Sequence, residues 1–101
     1  MLLMIKRIVK MTFREEKTEA FESIFNASCT RIRAFDGCEY LELTRSATDS
    51  RIYFTISFWR SLDHLNAYRN SSLFRETWAA TKVLFDDRPE AWSTETVKVL
   101  D

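Results

Sequence analysis

The sequence contains few of the residues that build common cofactor sites, with only one glycine, Gly37, and one histidine, His64, among its 101 residues. The Gly-rich phosphate loops of P-loop and dinucleotide-binding proteins need several glycines for close backbone approach, so folds of that kind are excluded. A single imidazole cannot form the usual multi-histidine zinc or iron site within one chain. No G-x-S-x-G motif marks a hydrolase nucleophile. We therefore expect no metal and no cofactor.

Excess charge of either sign is also missing, because fifteen basic residues face fifteen acidic ones. Such a chain has no net field to attract nucleic acid or an anionic membrane, and we expect neither as a partner. Lys6, Arg7 and Lys10 interrupt the apolar start of the chain, which argues against a signal peptide or a membrane span. The two cysteines, Cys29 and Cys38, are best interpreted as reduced thiols. These features together predict a cytoplasmic protein.

What the sequence does contain is alternating and helical periodicity over nearly its whole length. Alternation predicts a first strand over residues 4–13, with Val9 and Phe13 on the same face as Ile5 and Met11. Apolar residues at three- and four-residue steps predict an amphipathic helix over residues 14–35. Gly37 follows it, where positive φ is favoured. Residues 38–44 and 51–59 then predict two strands joined by the polar turn SATDS.

The second half of the chain predicts two short helices and a closing strand. Ser61 is a good N-cap for a helix that turns Leu62, Leu65 and Tyr68 inward, and the polar residues 70–72 separate it from a second helix. After the linker-like DDRPEAW, alternation over residues 93–100 predicts the last strand. The order β-α-β-β-α(α)-β is the split βαβ of ferredoxin-like α+β folds, with helices on one face of an antiparallel sheet, and residues 1–101 form a single domain.

The other face of this sheet has no helix to cover it. We assign to it the residues of opposite parity, which are Ile8, Tyr40, Tyr53, Thr55 and Ser57. This face is too apolar to remain in water. We therefore expect a second sheet to cover it, supplied by a homodimer.

The stretch WRSLDHLNAY (residues 59–68), the following SSLF (71–74) and the earlier FDGCEYLEL (35–43) resemble the antibiotic biosynthesis monooxygenase family of dimeric α/β-barrel proteins. The resemblance implies a dimer whose two sheets face each other, with a ligand pocket in each subunit between sheet and helices. It also implies oxygenation of phenolic or quinol-like compounds without metal or flavin. The family has a haem-degrading branch, but its asparagine, tryptophan and histidine are replaced here by Val9, Tyr68 and Trp78. Haem degradation is therefore not expected.

Five residues are candidates for the site. The Tyr68 hydroxyl could donate to a developing oxyanion, although Tyr68 could equally be a core tyrosine. His64 lies one turn earlier, in the first helical turn, where the neutral, basic form is favoured; it could act as a general base or simply be solvated. Val9, Phe13 and Trp78 are candidate ligand contacts, and Trp78 could either line the pocket or fill it.

Two functions are therefore open at this point. One is a cofactor-independent monooxygenase that acts on a small phenolic or quinol-like aromatic. The other is a non-catalytic dimer that binds a small hydrophobic ligand or serves as a scaffold. They differ in one feature, because an oxygenase needs a cavity that holds substrate and O₂ and has a polar group inside it.

Overall fold

The computed structural model describes residues 4–101. A short 3-10 turn (Glu15–Lys17) precedes the first helix, and the remaining elements are β1 (Ile5–Thr12), α1 (Thr18–Arg33), β2 (Cys38–Arg45), β3 (Ile52–Trp59), α2 (Leu62–Arg69), α3 (Ser72–Lys82) and β4 (Glu90–Glu95). This order confirms the predicted ferredoxin-like α+β fold. None of the helices within residues 4–101 is long and apolar enough to cross a membrane.

The four strands form one antiparallel sheet in the order β2-β3-β1-β4. In the pairing registers, Val9 of β1 lies opposite Thr55 of β3 on one side and Ala91 of β4 on the other. Directly paired residues of neighbouring strands point to the same face of a sheet. These three side chains therefore form a row across the sheet, and this row is the floor on which the candidate site is built.

Polar side chains and the single glycine set the ends of the helices. The hydroxyls of Ser61 and Ser71 accept hydrogen bonds from the backbone N–H groups of His64 and Phe74, at 3.2 and 3.1 Å, which confirms Ser61 as an N-cap. Gly37 follows α1 with a φ of +90°, a conformation that side chains disfavour. The His64 ring packs against it so closely that a Cβ on Gly37 would lie 2.3 Å from His64 Cγ.

Two clusters of buried side chains hold the helices on the sheet. One cluster packs the first helix and the segment after α3 on one end of the sheet, and consists of Met11, Phe13, Phe21, Tyr53 and Leu84. The other packs α2 on the opposite end, and consists of Ile5, Cys38, Trp59 and Leu65. The space between the two clusters, beneath α3, is where a cavity remains.

The predicted parity of β3 is wrong. Tyr53 and Ser57 are buried beneath the helices, with 2% and 7% of their surfaces exposed, and Thr55 lies in the row with Val9. The alternate residues of β3 face the other way, and they are more apolar. Because both faces of this strand are apolar, alternation alone did not distinguish them.

We define the open face as the side of the sheet without helices. Its side chains come from the alternate positions of all four strands and include Ile8, Tyr40, Phe54, Ile56, Phe58 and Trp92. Tyr40 stacks on Phe58 with ring centroids 4.5 Å apart and donates a 2.8 Å hydrogen bond to Glu42 Oε1. The open face is therefore more apolar than the sequence predicted.

Two further local predictions were wrong. The last strand covers Glu90–Glu95 rather than residues 93–100, because its pairing with β1 starts at Glu90, opposite Lys10, and ends at Glu95, opposite Ile5. Leu62 is 52% exposed instead of facing inward, whereas Leu65 and Tyr68 do pack inward.

Candidate functional site

A cavity of about 260 Å³ lies between the sheet and all three helices. This volume is just below the ~300–1,000 Å³ typical of sites for drug-sized molecules, so it suits a small ligand. Most of its wall is aromatic or aliphatic. The lining residues are Arg7, Val9, Met11, Phe21, Phe25, Ile32, Leu41, Thr55, Ser57, Trp59, Tyr68, Arg69, Phe74, Thr77, Trp78, Thr81, Pro89 and Ala91.

Three of the five predicted site residues line this cavity. Val9 forms part of the floor, Tyr68 of α2 contributes one wall, and Trp78 of α3 contributes another. They come together because the row of Val9, Thr55 and Ala91 on the sheet lies beneath the two short helices α2 and α3. The other two residues, Phe13 and His64, lie elsewhere.

Phe13 is not part of the cavity wall. It is fully buried beyond the end of β1, where its ring stacks on Phe21 at 4.2 Å and packs against Phe85 at 5.3 Å. Tyr53 contacts its edge at 5.7 Å. With aromatic rings on several sides, Phe13 fills the core next to the cavity and has no surface to offer a ligand.

His64 lies on the outer side of α2, near the loop that follows α1. Its Nδ1 is 2.6 Å from Ser61 Oγ, the same oxygen that accepts the His64 backbone N–H. The Ser61 hydroxyl can donate to Nδ1, which leaves the proton on Nε2, 3.8 Å from Asp36 Oδ2. With its ring against Gly37, His64 joins α2 to that loop and has no access to the cavity.

Tyr68 is held by aromatic rings on three sides. Its ring stacks on Trp59 at 4.8 Å and meets the edges of Phe35 and Phe74 at 5.4 and 5.3 Å. Burial raises the pKa of the Tyr68 phenol to about 12, and Cys38 adds to the rise while Arg7 opposes it. The phenol therefore keeps its proton at neutral pH. No hydrogen bond joins its hydroxyl to another of residues 4–101, so it can donate to a molecule in the cavity.

Trp78 lines the cavity and does not fill it. Its ring lies nearly parallel to that of Phe74, with an interplanar angle of 9° and centroids 5.9 Å apart. Phe85 supports it from the far side with an edge contact at 5.5 Å. A flat aromatic wall on one side and the sheet floor on the other suit a flat ligand.

Three polar residues of the sheet also face the cavity, and sequence reasoning did not single them out as site residues. Arg7 of β1 is half-buried on the floor, where its Nη1 lies 3.5 Å from Ser93 Oγ. Ser57 accepts a 2.9 Å hydrogen bond from Trp59 Nε1, which fixes the buried indole. Ser57 is the direct cross-strand partner of Arg7, and Thr55 lies two residues away on β3, opposite Val9. The available signal was parity, since Arg7 is two residues from both Ile5 and Val9 on the inward face.

Arg69, the last residue of α2, is the remaining lining residue of interest. It is exposed and lies at the opening of the cavity. Burial is the main factor that lowers the pKa of Arg7, and the positive charge of Arg69 lowers it further. An arginine side chain carries a positive charge in proteins. The cavity therefore combines an aromatic interior with positive charge.

Residues 4–101 contain no group of three potential His, Cys, Asp or Glu ligands that could hold a metal ion. Both cysteines are unpaired thiols, and burial raises the pKa of the Cys38 thiol. Neither cysteine lines the cavity. The chemistry available in the wall is thus hydrogen-bond donation, positive charge and aromatic contact.

The family model for antibiotic biosynthesis monooxygenase matches residues 4–80, and the chain belongs to this family. Solved structures agree with the fold. Rv0793 from Mycobacterium tuberculosis is 20% identical with a TM-score of 0.88, covering 97% of this chain and 99% of its own. PA3566 from Pseudomonas aeruginosa is 21% identical with a TM-score of 0.84, covering 95% and 96%.

A third similar structure is SnoaB, a cofactor-independent oxygenase from Streptomyces nogalater. It is 18% identical, with a TM-score of 0.85, and the match covers 96% of each chain. At these identities the likeness concerns the fold. No curated protein matches the chain significantly. The predicted family membership is confirmed.

Proposed function

We propose that this protein is a cofactor-independent monooxygenase that oxygenates a small, flat phenolic or quinol-like aromatic in the cavity. The observation that carries the proposal is Tyr68, which lines a largely apolar cavity of about 260 Å³ and whose hydroxyl has no hydrogen-bond partner among residues 4–101. The family supports an oxygenase, and SnoaB is an oxygenase of the same fold that needs no cofactor. Val9 and Trp78 would sandwich the aromatic ring.

In this reaction the protein's contribution is to stabilise the negative charge on the phenolate and peroxide oxygens. The phenol loses its proton to solvent, and the resulting phenolate passes an electron to O₂; the two radicals then combine into a peroxide anion on the ring carbon. The peroxide takes up a proton from solvent, and loss of water together with the hydrogen of that carbon leaves a carbonyl. One oxygen atom enters the product and the other leaves as water, so a phenol and O₂ give a quinone and H₂O.

Tyr68 acts as a hydrogen-bond donor in this scheme. Its phenol is neutral at physiological pH, because an ordinary tyrosine ionises only near pH 10 and burial raises the pKa of Tyr68 further, to about 12. It can therefore stabilise negative charge that develops on a phenolate or peroxide oxygen without itself transferring a proton. A donor aimed at developing charge in a site that excludes water contributes on the order of 10²–10³ in rate.

The open face supports a homodimer as the active form. Its apolar side chains come from all four strands and no helix of residues 4–101 covers them, which suits pairing of two such faces into an α/β barrel. We expect an interface on the order of 2,000 Å² or more. The unpaired thiols Cys29 and Cys38 suit a reducing compartment, and we place the protein in the cytoplasm.

The proposal is tested by O₂ uptake across a panel of phenols, naphthols and anthrones, with product analysis after reaction in O₂ labelled with heavy oxygen. The expected product carries one labelled oxygen. Tyr68→Phe keeps the ring and removes only the hydroxyl, and we expect it to reduce the rate about 10²-fold.

Tyr53→Phe is the matched control. It also removes a tyrosine hydroxyl, but that hydroxyl bonds Glu22 Oε2 at 2.5 Å outside the cavity. We expect its oxygenation rate to stay close to that of the wild type. Uptake no faster than autoxidation for every compound, or equal rates in Tyr68→Phe and wild type, would contradict the proposal.

A further inference from the structure

Two arginines contribute to the wall of an otherwise aromatic cavity without an acidic partner. Arg7 rises from the sheet floor and Arg69 lies at the opening. Within residues 4–101 no carboxylate lies within 4.0 Å of either guanidinium, and the contact of Arg7 with Ser93 Oγ is a long one at 3.5 Å. Two like charges are thus held next to the same small cavity.

Some arginines elsewhere in residues 4–101 have carboxylate partners, whereas others, such as the exposed Arg31 and Arg88, have none. Arg51 contacts Asp49 and Asp86 at 3.1 Å each, and Arg60 contacts Glu39 at 2.7 Å. An exposed arginine without a partner is solvated by water, but Arg7 is half-buried in the cavity wall, where solvation is incomplete. A half-buried guanidinium is costly unless a counter-charge accompanies it. Burial and the neighbouring Arg69 both lower the pKa of Arg7, which reflects that missing counter-charge.

The cavity wall also contains no carboxylate and no imidazole. It therefore offers no side chain suited to removing a proton from a phenol at neutral pH. An arrangement with two cations and no base favours a molecule that arrives already ionised. A negatively charged ligand would supply the counter-charge that the half-buried Arg7 lacks, and the exposed Arg69 at the opening lies in position to contribute.

We propose that the cavity binds aromatic compounds that carry a carboxylate, and that Arg7 and Arg69 hold the carboxylate while the ring lies between Val9 and Trp78. A guanidinium presents paired N–H donors that match the two oxygens of a carboxylate. The inference rests on the proposed function, because it specifies the aromatic substrate of the same cavity. In this arrangement the arginines orient the ring relative to Tyr68.

Calorimetric titration under argon tests the inference without depending on turnover. The two probes are a hydroxynaphthoic acid and the naphthol with its hydroxyl at the same ring position. They share their ring system and differ by the carboxylate. We expect the hydroxynaphthoate to bind wild-type protein at least about tenfold more tightly than the naphthol, because charge-assisted hydrogen bonds are the stronger ones.

Variants assign that preference to the arginines. Arg7→Gln and Arg69→Gln should each reduce the affinity for hydroxynaphthoate severalfold or more, and together abolish the preference, while naphthol affinity stays within about twofold. Arg31→Gln on the exposed surface of α1 removes the same charge outside the cavity and should change neither affinity. Thermal melts verify folding, and the exposed Arg69 provides a variant that spares the core.

Three results would overturn the inference: equal affinity of the wild type for the two probes, binding of neither probe, or a preference that survives in the double variant. Failure of the proposed function would look different. In that case hydroxynaphthoate would bind with the expected preference, but no phenolic compound would take up O₂. Conversely, oxygenation of neutral phenols without a carboxylate preference would leave the monooxygenase intact and refute only the role of the arginines.

Discussion

The raised pKa of Tyr68 leads to a stability prediction at alkaline pH. In the unfolded chain this phenol ionises near its ordinary pKa of 10, whereas burial in the folded protein raises that pKa to about 12. The folded state therefore holds the proton more tightly. The raised pKa of Tyr68 adds to the free energy of unfolding; this contribution is complete below pH 10 and is lost as the pH rises through the folded pKa of about 12. A difference of about two pKa units corresponds to roughly 3 kcal/mol.

Tyr68→Phe isolates this contribution because phenylalanine keeps the packing on Trp59, Phe35 and Phe74 but cannot ionise. Urea unfolding of both proteins is measured at several pH values between 9 and 12. We expect the free energy of unfolding of the wild type to fall about 2 kcal/mol further than that of Tyr68→Phe between pH 9 and pH 12, with the remainder lost above the folded pKa. Other titrating groups are common to both proteins and cancel in the difference.

The tyrosinate absorbance of the folded proteins gives an independent measure. The chain has three tyrosines, and subtracting the alkaline titration of Tyr68→Phe from that of the wild type leaves the curve of Tyr68 alone. We expect its midpoint near pH 12. A midpoint near pH 10, together with parallel stability curves, would show that the phenol is well solvated, and would contradict its burial in a wall that excludes water.

Three other substitutions test the remaining conclusions. Gly37→Ala should lower the free energy of unfolding by about 2–4 kcal/mol in urea titrations, because a φ of +90° strains alanine and its Cβ would overlap the His64 ring; an unchanged midpoint would contradict the observed packing. His64→Ala should leave oxygenation within about twofold of wild type in the O₂-uptake assay, whereas loss of a general base typically costs 10²–10⁴-fold. Ile56→Glu should convert the proposed dimer into a 12.0 kDa monomer in sedimentation experiments, because it places an unpaired charge on the open face. Thr48→Glu in the exposed turn serves as the control. A monomeric wild type or a dimeric Ile56→Glu variant would refute the proposed assembly.

The order of elements was readable from the sequence because its signals are local. Helical spacing in α1 and the cap at Ser61 each depend on residues a few positions apart, and so does the turn at Gly37. The same holds for the resemblance carried by residues 59–68. These signals were sufficient for the fold and for the family, which the match over residues 4–80 confirms.

The site was predicted less completely, since its residues are brought together by pairing between distant strands. Val9, Tyr68 and Trp78, to which the family resemblance and helical spacing pointed, line the cavity, and their roles in a site stay predictions. Arg7 was missed because the other residues of the same parity on β1, such as Ile5 and Val9, are apolar and indicate a core-facing side. Phe13 shares the parity of Val9, but it lies beyond the end of β1, where aromatic packing surrounds it completely.

By itself, the sequence determined the local structure: where each helix and strand forms, where most of them end, and which residues could carry chemistry. Only the tertiary structure decided which face of β3 meets the helices. Tyr53 and Ile56 lie on opposite faces and are both apolar enough for burial, so the alternation of side chains does not show which face is buried. The tertiary structure also decided that two arginines distant in sequence, Arg7 and Arg69, line one cavity. His64 lies only one helical turn from Tyr68, but its ring packs against Gly37 and does not line the cavity. Such placements depend on strand register and on the packing of helices across the sheet, which are set by contacts between residues far apart in the chain.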